Sequence, residues 1–359
     1  MDLKWPLVKG TLLLRAGEDG KEKKALQAAA EILQAGGRVA FPTETVYGLG
    51  ANALDPEAVR GIFRAKRRPA DNPLIVHLAA LEQAGELAQN IPPAAVRLAK
   101  HFWPGPLTLI LPKRGAVPGI VTAGLPSVAV RVPAHSLALK LLRTAGLPLA
   151  APSANLSGHP SPTTAEHVLE DLAGSIEAVL DGGPCPIGVE STVLSFMFSP
   201  PALLRPGGVT LEMLEEVLGA KIQSPDLGNF KTDYTATPPA PGMKYRHYAP
   251  RAPLFLVEGA GPAQGRRLLA LCTSLTARGL KIGLVVFAES QGIFPAPVLK
   301  VLSSRRDPAT AAARLYGVLR EMDAAGVDAI VVEGFEAAGL GGAVMNRLRK
   351  AAVQVIGAE

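Results

Sequence analysis

The chain has 359 residues, which is enough for two ordinary domains, each with a sizeable core. Hydrophobic residues make up 48% of it and charged residues 19%, a composition that excludes an intrinsically disordered protein. The net charge of +6 favours anionic partners but does not by itself identify nucleic acid.

Strand-like and helix-like segments alternate through about the first 215 residues, as is typical of an α/β fold. Asp55 and Pro56 fit the N-cap and the first position of a helix, and Pro69 is expected to end it. Thr163 and Glu166 form a capping box that begins another helix. The predicted strands of this part lie at residues 38–41, 74–78, 107–111, 128–132 and 147–151.

The amino-acid composition changes between residues 222 and 252. Five prolines there break any regular element, so we predict a linker. The linker also holds Tyr234, Tyr245 and Tyr248, three of the chain's five tyrosines. Because plain spacers seldom carry aromatic residues, we expect this linker to pack on another part of the protein.

Strand-like and helix-like segments alternate again from residue 253. The predicted strands lie at residues 254–257, 282–287 and 329–332, and the predicted helices at 266–276 and from Asp307 and Pro308 to about residue 325. This alternation predicts a small parallel-sheet domain. The predicted division is a first domain at 1–221, a linker at 222–252 and a second domain at 253–359.

Neither the cysteines nor the apolar segments suggest a secreted or membrane protein. Cys185 and Cys272 lie far apart without CxxC spacing, so we expect no structural zinc site and no disulfide framework. No apolar run reaches the roughly 18 residues that a membrane span needs, and the N-terminal residues lack a signal-peptide pattern. We therefore expect a cytoplasmic protein with no membrane partner.

Residues 259–265 superficially resemble a dinucleotide-binding motif. They read GAGPAQG after a predicted strand, but the third glycine comes one residue late and Pro262 lies inside the turn. The chain also has no P-loop sequence. We therefore expect any nucleotide to be held in another way.

Three consecutive basic residues lie where the first predicted helix ends. Lys66, Arg67 and Arg68 can either complement the helix dipole or bind an anion. Ser153 and Asn155 follow a predicted strand, where ligands bind in open α/β sheets, although an ordinary polar loop has the same composition. The sequence alone leaves both alternatives open at each position.

Other polar residues lie inside or just after predicted strands. Arg131 lies within one, and because arginine is rarely buried unpaired, it is expected to bind a carboxylate or phosphate or to form an internal salt bridge. His77 ends another strand, as a ligand contact or a structural histidine. Residues 41–50 place two threonines and a glutamate on a turn that either lines a pocket or is an ordinary capped turn. Ser191 and Arg205 also lie at strand ends.

Taken together and in this order, the motifs resemble the YrdC/Sua5 family in its long form. The matching segments are FPTETVYGL at 41–49, KRRP at 66–69, NPLIVH at 72–77, WPGPLT at 103–108, SAN at 153–155, LRPG at 204–207, PGMKYRHYAP at 241–250 and the helix at 341–351. Each motif alone is weak, whereas their ordered combination is specific. The resemblance covers nearly the whole chain.

The resemblance implies an open twisted YrdC-type α/β sheet domain with a deep concave face, followed by a smaller Rossmann-like domain. It implies threonylcarbamoyl-AMP synthase activity, in which L-threonine, bicarbonate and ATP give L-threonylcarbamoyladenylate and pyrophosphate. This is the first step of t6A modification at adenosine 37 of tRNA. Mg²⁺ accompanies ATP, and a separate threonylcarbamoyl transferase complex acts downstream, so any contact with tRNA is expected to be weak or indirect.

The resemblance also assigns roles to positions of this chain. The catalytic signature falls on Lys66, Arg68, Ser153 and Asn155. The expected ATP-binding residues are these four with Asn72, Ser127, Ser161, Arg205, Tyr245 and His247, the last two from a linker packing over the active site. The expected L-threonine-binding residues are Thr45, His77, Arg131, Ala151 and Ser191. Ala151 can offer only its backbone, and Pro152 replaces a Ser or Thr that is common in shorter members. No protein ligand of the metal is assigned.

Two other functions remain open from the sequence. A carbamoyl-adenylate enzyme of the hydrogenase-maturation type shares this domain, but it usually carries cysteine-rich zinc segments, and this chain has two lone cysteines. A non-catalytic RNA-binding module would use the basic concave face, yet the chain lacks an RNP-like aromatic platform.

Overall fold

The computed structural model describes residues 5–17, 20–224, 247–294, 296–335 and 339–357. These residues form two compact units. The first comprises those up to Ser157, Pro162–Pro186 and those from Glu190 to residue 224, and the second comprises Gly158–Ser161, Ile187–Val189 and those from His247 onward. Most of the predicted linker lies outside the described residues, so the predicted division at 221 and 253 stays a prediction.

The strands described in the first unit form one mixed sheet. They are β1 (Leu7–Val8), β2 (Thr11–Arg15), β3 (Val39–Phe41), β4 (Gly48–Asn52), β5 (Ile75–His77), β6 (Leu107–Pro112), β7 (Ser127–Arg131), β8 (Leu149–Ala150), β9 (Ala178–Asp181), β10 (Thr192–Ser195) and β11 (Ala202–Arg205). Their order is β1-β2-β9-β3-β4-β8-β5-β7-β6-β10-β11. All five strands predicted for this part of the chain are present, with ends that differ by one or two residues.

Helices cover this sheet. They are α1 (Glu22–Gln34), α2 (Pro56–Lys66), α3 (Ala84–Leu87), α4 (Pro93–Phe102), α5 (Gly119–Thr122), α6 (Ser136–Ala145), α7 (Ala165–Leu172) and α8 (Leu211–Leu218). In α2 the Asp55 carboxylate accepts hydrogen bonds from the amides of Glu57 and Ala58, as its sequence predicts. The helix α7 begins at Ala165 with Thr164 as its N-cap, so the predicted capping box is wrong, because Thr163 lies outside the helix end.

Alternation along the strands around β7 gives this part of the sheet an apolar face and a polar face. Val128 and Val130 of β7 lie in the large core with helix residues, and burying each side chain contributes roughly 1.5–3 kcal/mol. Ser127, Ala129 and Arg131 point to the opposite face by the same alternation. Around β7 that face carries only a small apolar cluster, formed by Ile75, Ile110, Ala129, Val193, Ala202 and Leu204. Its other half, over β2, β9, β3 and β8, packs against α1 and α6 in a second core.

The register of the central strands sets which residues meet on the polar face. β5 runs parallel to β7 and pairs His77 with Arg131. β6 runs antiparallel to β7 and pairs Leu109 with Val130, so Thr108 comes beside Arg131. Three strands thus bring polar side chains to one end of the polar face.

The second unit is a parallel sheet flanked by helices, as predicted. Its elements are β12 (Leu254–Val257), α9 (Gly261–Ala277), β13 (Ile282–Val286), β14 (Val298–Val301), α10 (Pro308–Ala324), β15 (Ala329–Glu333), α11 (Leu340–Ala351) and β16 (Gln354–Ile356). The strand order is β14-β13-β15-β12-β16, with every pairing parallel.

Helix α9 begins at Gly261, five residues before the predicted start. Pro262 lies in its first turn, where the missing N–H leaves no intrahelical bond unmade. Gly261 has a φ of +62°, which glycine adopts without strain. Within the described parts of both units, no helix is both long and apolar enough to cross a lipid bilayer.

The capping of α2 can be tested against a matched cap in the other unit. Asp307 accepts a hydrogen bond from the Thr310 amide at 2.9 Å and caps α10 as Asp55 caps α2. Replacing a capping Asp by Ala costs about 1 kcal/mol, so Asp55→Ala should speed hydrogen exchange of α2 amides roughly fivefold. Mass spectrometry should show that Asp307→Ala accelerates α10 and leaves α2 unchanged. Unchanged α2 exchange in Asp55→Ala would contradict this account.

Candidate active site

A buried lysine at the end of α2 organises the first part of the site. Lys66 is 1% exposed, and its Nζ donates to the backbone carbonyls of Ser153 and Asn155 at 2.5 Å each. Burial, and then the charge of Arg68, lower the pKa of Lys66 well below its ordinary value. The lysine thus links the loop after β8 to the end of α2. A bound anion would stabilise its protonated form, which burial disfavours.

Four further predicted residues surround this lysine. Arg68 is half-buried, and its Nη2 donates to the carbonyls of Asn72 and Pro73 at 3.2 Å each. The Ser153 hydroxyl donates to Oδ1 of Asn155 at 2.6 Å. The buried Oδ1 of Asn72 accepts no hydrogen bond from any described residue. We call Lys66, Arg68, Asn72, Ser153 and Asn155 the basic group.

The backbone conformation at Arg67 explains why this middle residue of the basic triplet is outside the basic group. Arg67 follows the last residue of α2 with a φ of +50°, a left-handed conformation that turns the chain. Its side chain is exposed, whereas those of Lys66 and Arg68 are buried and half-buried. The anion-site and helix-end interpretations of the triplet are therefore compatible.

A buried arginine organises the second part of the site. Arg131 is 3% exposed, its Nε donates to the Gly105 carbonyl at 3.1 Å and its Nη1 to Oγ1 of Thr45 at 3.0 Å. Its Nη2 lies 2.7 Å from Oε1 of Glu44, which is also buried. The internal salt bridge that the sequence left open is therefore present in this structure.

The ion pair between Arg131 and Glu44 is close but poorly aligned. Its angles do not meet hydrogen-bond geometry, and neither carboxylate oxygen of Glu44 has a hydrogen-bond donor among the described residues. The desolvation cost of burying two charges is offset only when the pair has good geometry and its remaining polar atoms form hydrogen bonds. This pair is thus incompletely satisfied, and a ligand with both charges can complete it.

Hydroxyl groups and a histidine complete this second part. The hydroxyls of Ser191 and Thr108 are 2.8 Å apart, and Arg205 donates to the Ser191 hydroxyl at 3.1 Å and to its carbonyl at 3.0 Å. Burial, and then the charge of Arg131, lower the pKa of His77 to about 3, so its ring is neutral at physiological pH. We call the set Glu44, Thr45, His77, Thr108, Arg131, Ser191 and Arg205 the arginine group.

The basic group and the arginine group do not coincide with the predicted ATP-binding and L-threonine-binding residues. Arg205, predicted for ATP, contacts Ser191, predicted for threonine. Ser127 begins β7 on the same face as Arg131 and, by strand rise, lies roughly 13 Å from it. It is therefore at the end of the sheet where Asn72 precedes β5. The site extends along the polar face from one end of β7 to the other.

Besides Ser127, four predicted residues are not brought into either group. The Ala151 amide donates to the Ile75 carbonyl, so of its backbone only the carbonyl remains to contact a ligand. Ser161 and His247 are buried and belong to the second unit. Tyr245 lies outside the described residues, and the predicted packing of the linker stays a prediction.

Sequence reasoning did not assign Glu44, Thr108 or His135 to the site. Glu44 lies in the turn that was singled out at 41–50, but its pairing with Arg131 joins residues 87 positions apart in sequence. His135 is half-buried; burial lowers its pKa, and the charge of Glu44 opposes that shift. In the part of the chain that the structure describes, no three His, Cys, Asp or Glu side chains cluster as metal ligands.

Comparison with known proteins identifies two family models along the chain. Residues 31–207 match a model described as telomere recombination (Sua5_yciO_yrdC), and residues 209–353 match one described as the C-terminal domain of threonylcarbamoyl-AMP synthase. Together these two matches cover most of both units.

Relatives of similar length carry the same name. Proteins named threonylcarbamoyl-AMP synthase from Pyrococcus abyssi and Bacillus subtilis are each 50% identical, the first over 95% of this chain and 97% of its own length, the second over 90% and 92%. One from Schizosaccharomyces pombe is 42% identical over 92% and 88%.

A solved structure agrees with the fold. The crystal structure of P. abyssi Sua5 complexed with L-threonine superposes with a TM-score of 0.90 at 49% identity, covering 97% of this chain and all of that one. The basic and arginine groups therefore lie in a scaffold shared over nearly the whole chain, and this chain belongs to the YrdC/Sua5 family in its long, two-domain form.

Proposed function

We propose that this chain is an L-threonylcarbamoyladenylate synthase, which joins L-threonine, bicarbonate and ATP and releases pyrophosphate. The observation that carries the proposal is the buried, incompletely satisfied pair of Arg131 and Glu44 beside the Thr45 hydroxyl. It lies on the same face of the sheet as Ser127, at the end of β7 opposite the basic group. Family membership supports the same reaction.

L-Threonine has the charges that the arginine group leaves unsatisfied. Its α-carboxylate can accept bonds from the guanidinium of Arg131, a charge-assisted interaction. Its α-ammonium can donate to the two Glu44 oxygens that have no donor among the described residues. The hydroxyls of Thr45, Thr108 and Ser191 offer partners for the substrate hydroxyl. A zwitterion would thus replace one poorly aligned ion pair with two better ones.

The first bond forms between the threonine nitrogen and the carbon of bicarbonate or CO₂. The ammonium must lose a proton first, and the Glu44 carboxylate is the charged acceptor beside Arg131. His77, with a pKa lowered to about 3, is too weak a base for this step and acts as a neutral contact. The product is N-carboxythreonine, with water released when bicarbonate is the reactant.

The second bond forms between a carbamate oxygen and the α-phosphorus of ATP, and the bond to pyrophosphate breaks. Lys66 and Arg68 stabilise the negative charge that develops on the phosphates. Mg²⁺ would accompany ATP and would help Lys66 and Arg68 to neutralise the phosphates. Most of the remaining rate enhancement comes from positioning the two reactants along one sheet face.

The product is a mixed anhydride that must pass to another enzyme. We propose that a threonylcarbamoyl transferase complex consumes it to modify adenosine 37 of tRNA, with contact between this chain and tRNA weak or indirect. This places the chain at the first step of t6A synthesis.

Pyrophosphate release tests the reaction directly. We expect release from ATP that requires L-threonine, bicarbonate and Mg²⁺ together and that stops when the metal is chelated. Release that depends on carbamoyl phosphate instead would indicate the hydrogenase-maturation type of chemistry. Tight tRNA binding without any release would indicate an RNA-binding module. Either result would overturn the proposal.

The lowered pKa of Lys66 predicts proton uptake when ATP binds. Phosphates stabilise the protonated amine, so binding should raise the pKa of Lys66 towards its ordinary value. Calorimetry at pH ~9, where the phosphates of ATP carry no proton, should give a binding enthalpy that depends on the ionisation enthalpy of the buffer.

The matched control is ATP titrated into Lys140→Met, which removes a half-exposed lysine outside both groups and should keep the buffer dependence. We expect Lys66→Met to bind ATP more weakly and to lose the buffer dependence that belongs to ATP. An ATP enthalpy that is the same in all buffers for the unmodified protein would contradict the role of Lys66.

A further inference from the structure

The second unit contains a cavity that the proposed reaction does not use. Its volume is about 670 Å³, within the range of small-molecule sites. It is lined by Gly261 and Arg266 after β12, by Ser290 after β13, by Arg305 after β14 and by Glu333 at the end of β15. All of these residues belong to one compact unit.

At the carboxyl ends of β12 and β15, the connections to the next strands run in opposite directions. β12 continues to β13, which lies on one side of it, and β15 continues to β16, which lies on the opposite side. In open α/β sheets, ligands bind outside the carboxyl ends of strands where neighbouring connections leave in opposite directions. The cavity therefore lies where such a fold has room for a ligand.

Arg305 is held in place but incompletely bonded. Its Nη2 donates to Oε1 of Glu333 at 2.5 Å and to Oε1 of Gln264 at 2.9 Å, and its guanidinium lies 5.3 Å from the centre of the Phe287 ring. Its Nε and Nη1 bond to no side chain or backbone group of the described residues. Two donors of a fixed guanidinium thus remain for a ligand.

Glu333 positions this arginine and is itself fully occupied. One of its oxygens accepts from the Phe287 amide at 2.8 Å, and the other accepts from the Ser290 hydroxyl at 2.6 Å as well as from Arg305. Its charge is therefore balanced by Arg305. Arg266, which is exposed and makes no ion pair with a described residue, leaves the cavity with a positive charge.

The remaining wall is apolar and accessible. Leu269 is 46% exposed and Ile293 is 62% exposed, two of the large hydrophobic residues that the described surface leaves open. Both line the cavity together with Phe294. A ligand that fits needs a flat apolar body on this wall and an anionic group near Arg266 and Arg305.

We propose that this cavity binds a nucleoside monophosphate, with its phosphate on Arg266 and Arg305 and its base against Leu269, Ile293 and Phe294. The GAGPAQG turn explains why one phosphate fits better than the pyrophosphate of a dinucleotide. Pro262 has no N–H at the helix start, where dinucleotide sites offer backbone donors, so the arginine side chains bind the phosphate instead. This site shares no residue with the arginine and basic groups.

The test uses AMP and the full-length chain. Arg68→Ala weakens nucleotide binding at the basic group, so calorimetry on this variant should report the second site, with about one AMP bound. Adding Arg266→Ala should weaken that binding roughly tenfold or more through loss of a charge-assisted bond. Because Arg266 is exposed and makes no ion pair with the residues that the structure describes, its removal should leave the fold intact.

A matched control removes a charge from the same helix. Arg278 is exposed and lies at the far end of α9, so Arg278→Ala in the Arg68→Ala background should bind AMP normally. No AMP binding by Arg68→Ala, or binding that Arg266→Ala leaves unchanged, would overturn the proposal. The outcome is independent of pyrophosphate release, which should be normal in Arg266→Ala alone.

Discussion

Two opposite charges, Arg131 and Glu44, are buried on one face of the large sheet, and the site depends on how incompletely they satisfy each other. Each ion loses several kcal/mol of hydration on burial. The guanidinium is fixed by Gly105 and Thr45, so the carboxylate is the partner with spare acceptors. A zwitterionic ligand can therefore replace the contact between these two side chains with one ion pair to each of them.

The sheet converts this local feature into a two-part site. Strand alternation commits Val128 and Val130 to the core and leaves Ser127 and Arg131 on the opposite face, roughly 13 Å apart. The basic group lies towards the Ser127 end and the arginine group at the other. An amino acid and a nucleotide held along one face can thus react without a catalytic dyad, since fixed charge and position supply the chemistry.

Local signals in the sequence predicted much of the fold. Asp55 and Pro56 correctly predicted the start of α2, because helix capping depends only on residues that are close in sequence. The strand β14 was not predicted, since prolines precede it closely at 295 and 297 and its four residues are only partly buried. The pairing of Glu44 with Arg131 could not be predicted either, because it depends on how β7 meets the turn after β3. Family resemblance indicated positions, and the structure added which of them touch.

Threonine calorimetry on variants of the buried pair tests the central claim most directly. Arg131→Ala should weaken binding about ten- to a hundredfold, the loss of a charge-assisted bond. Glu44→Gln should weaken L-threonine but not 3-hydroxybutyrate, which lacks the amine, while Arg60→Ala at an exposed ion pair should change neither. Unchanged threonine affinity in Arg131→Ala, or equal effects of Glu44→Gln on both ligands, would contradict the account.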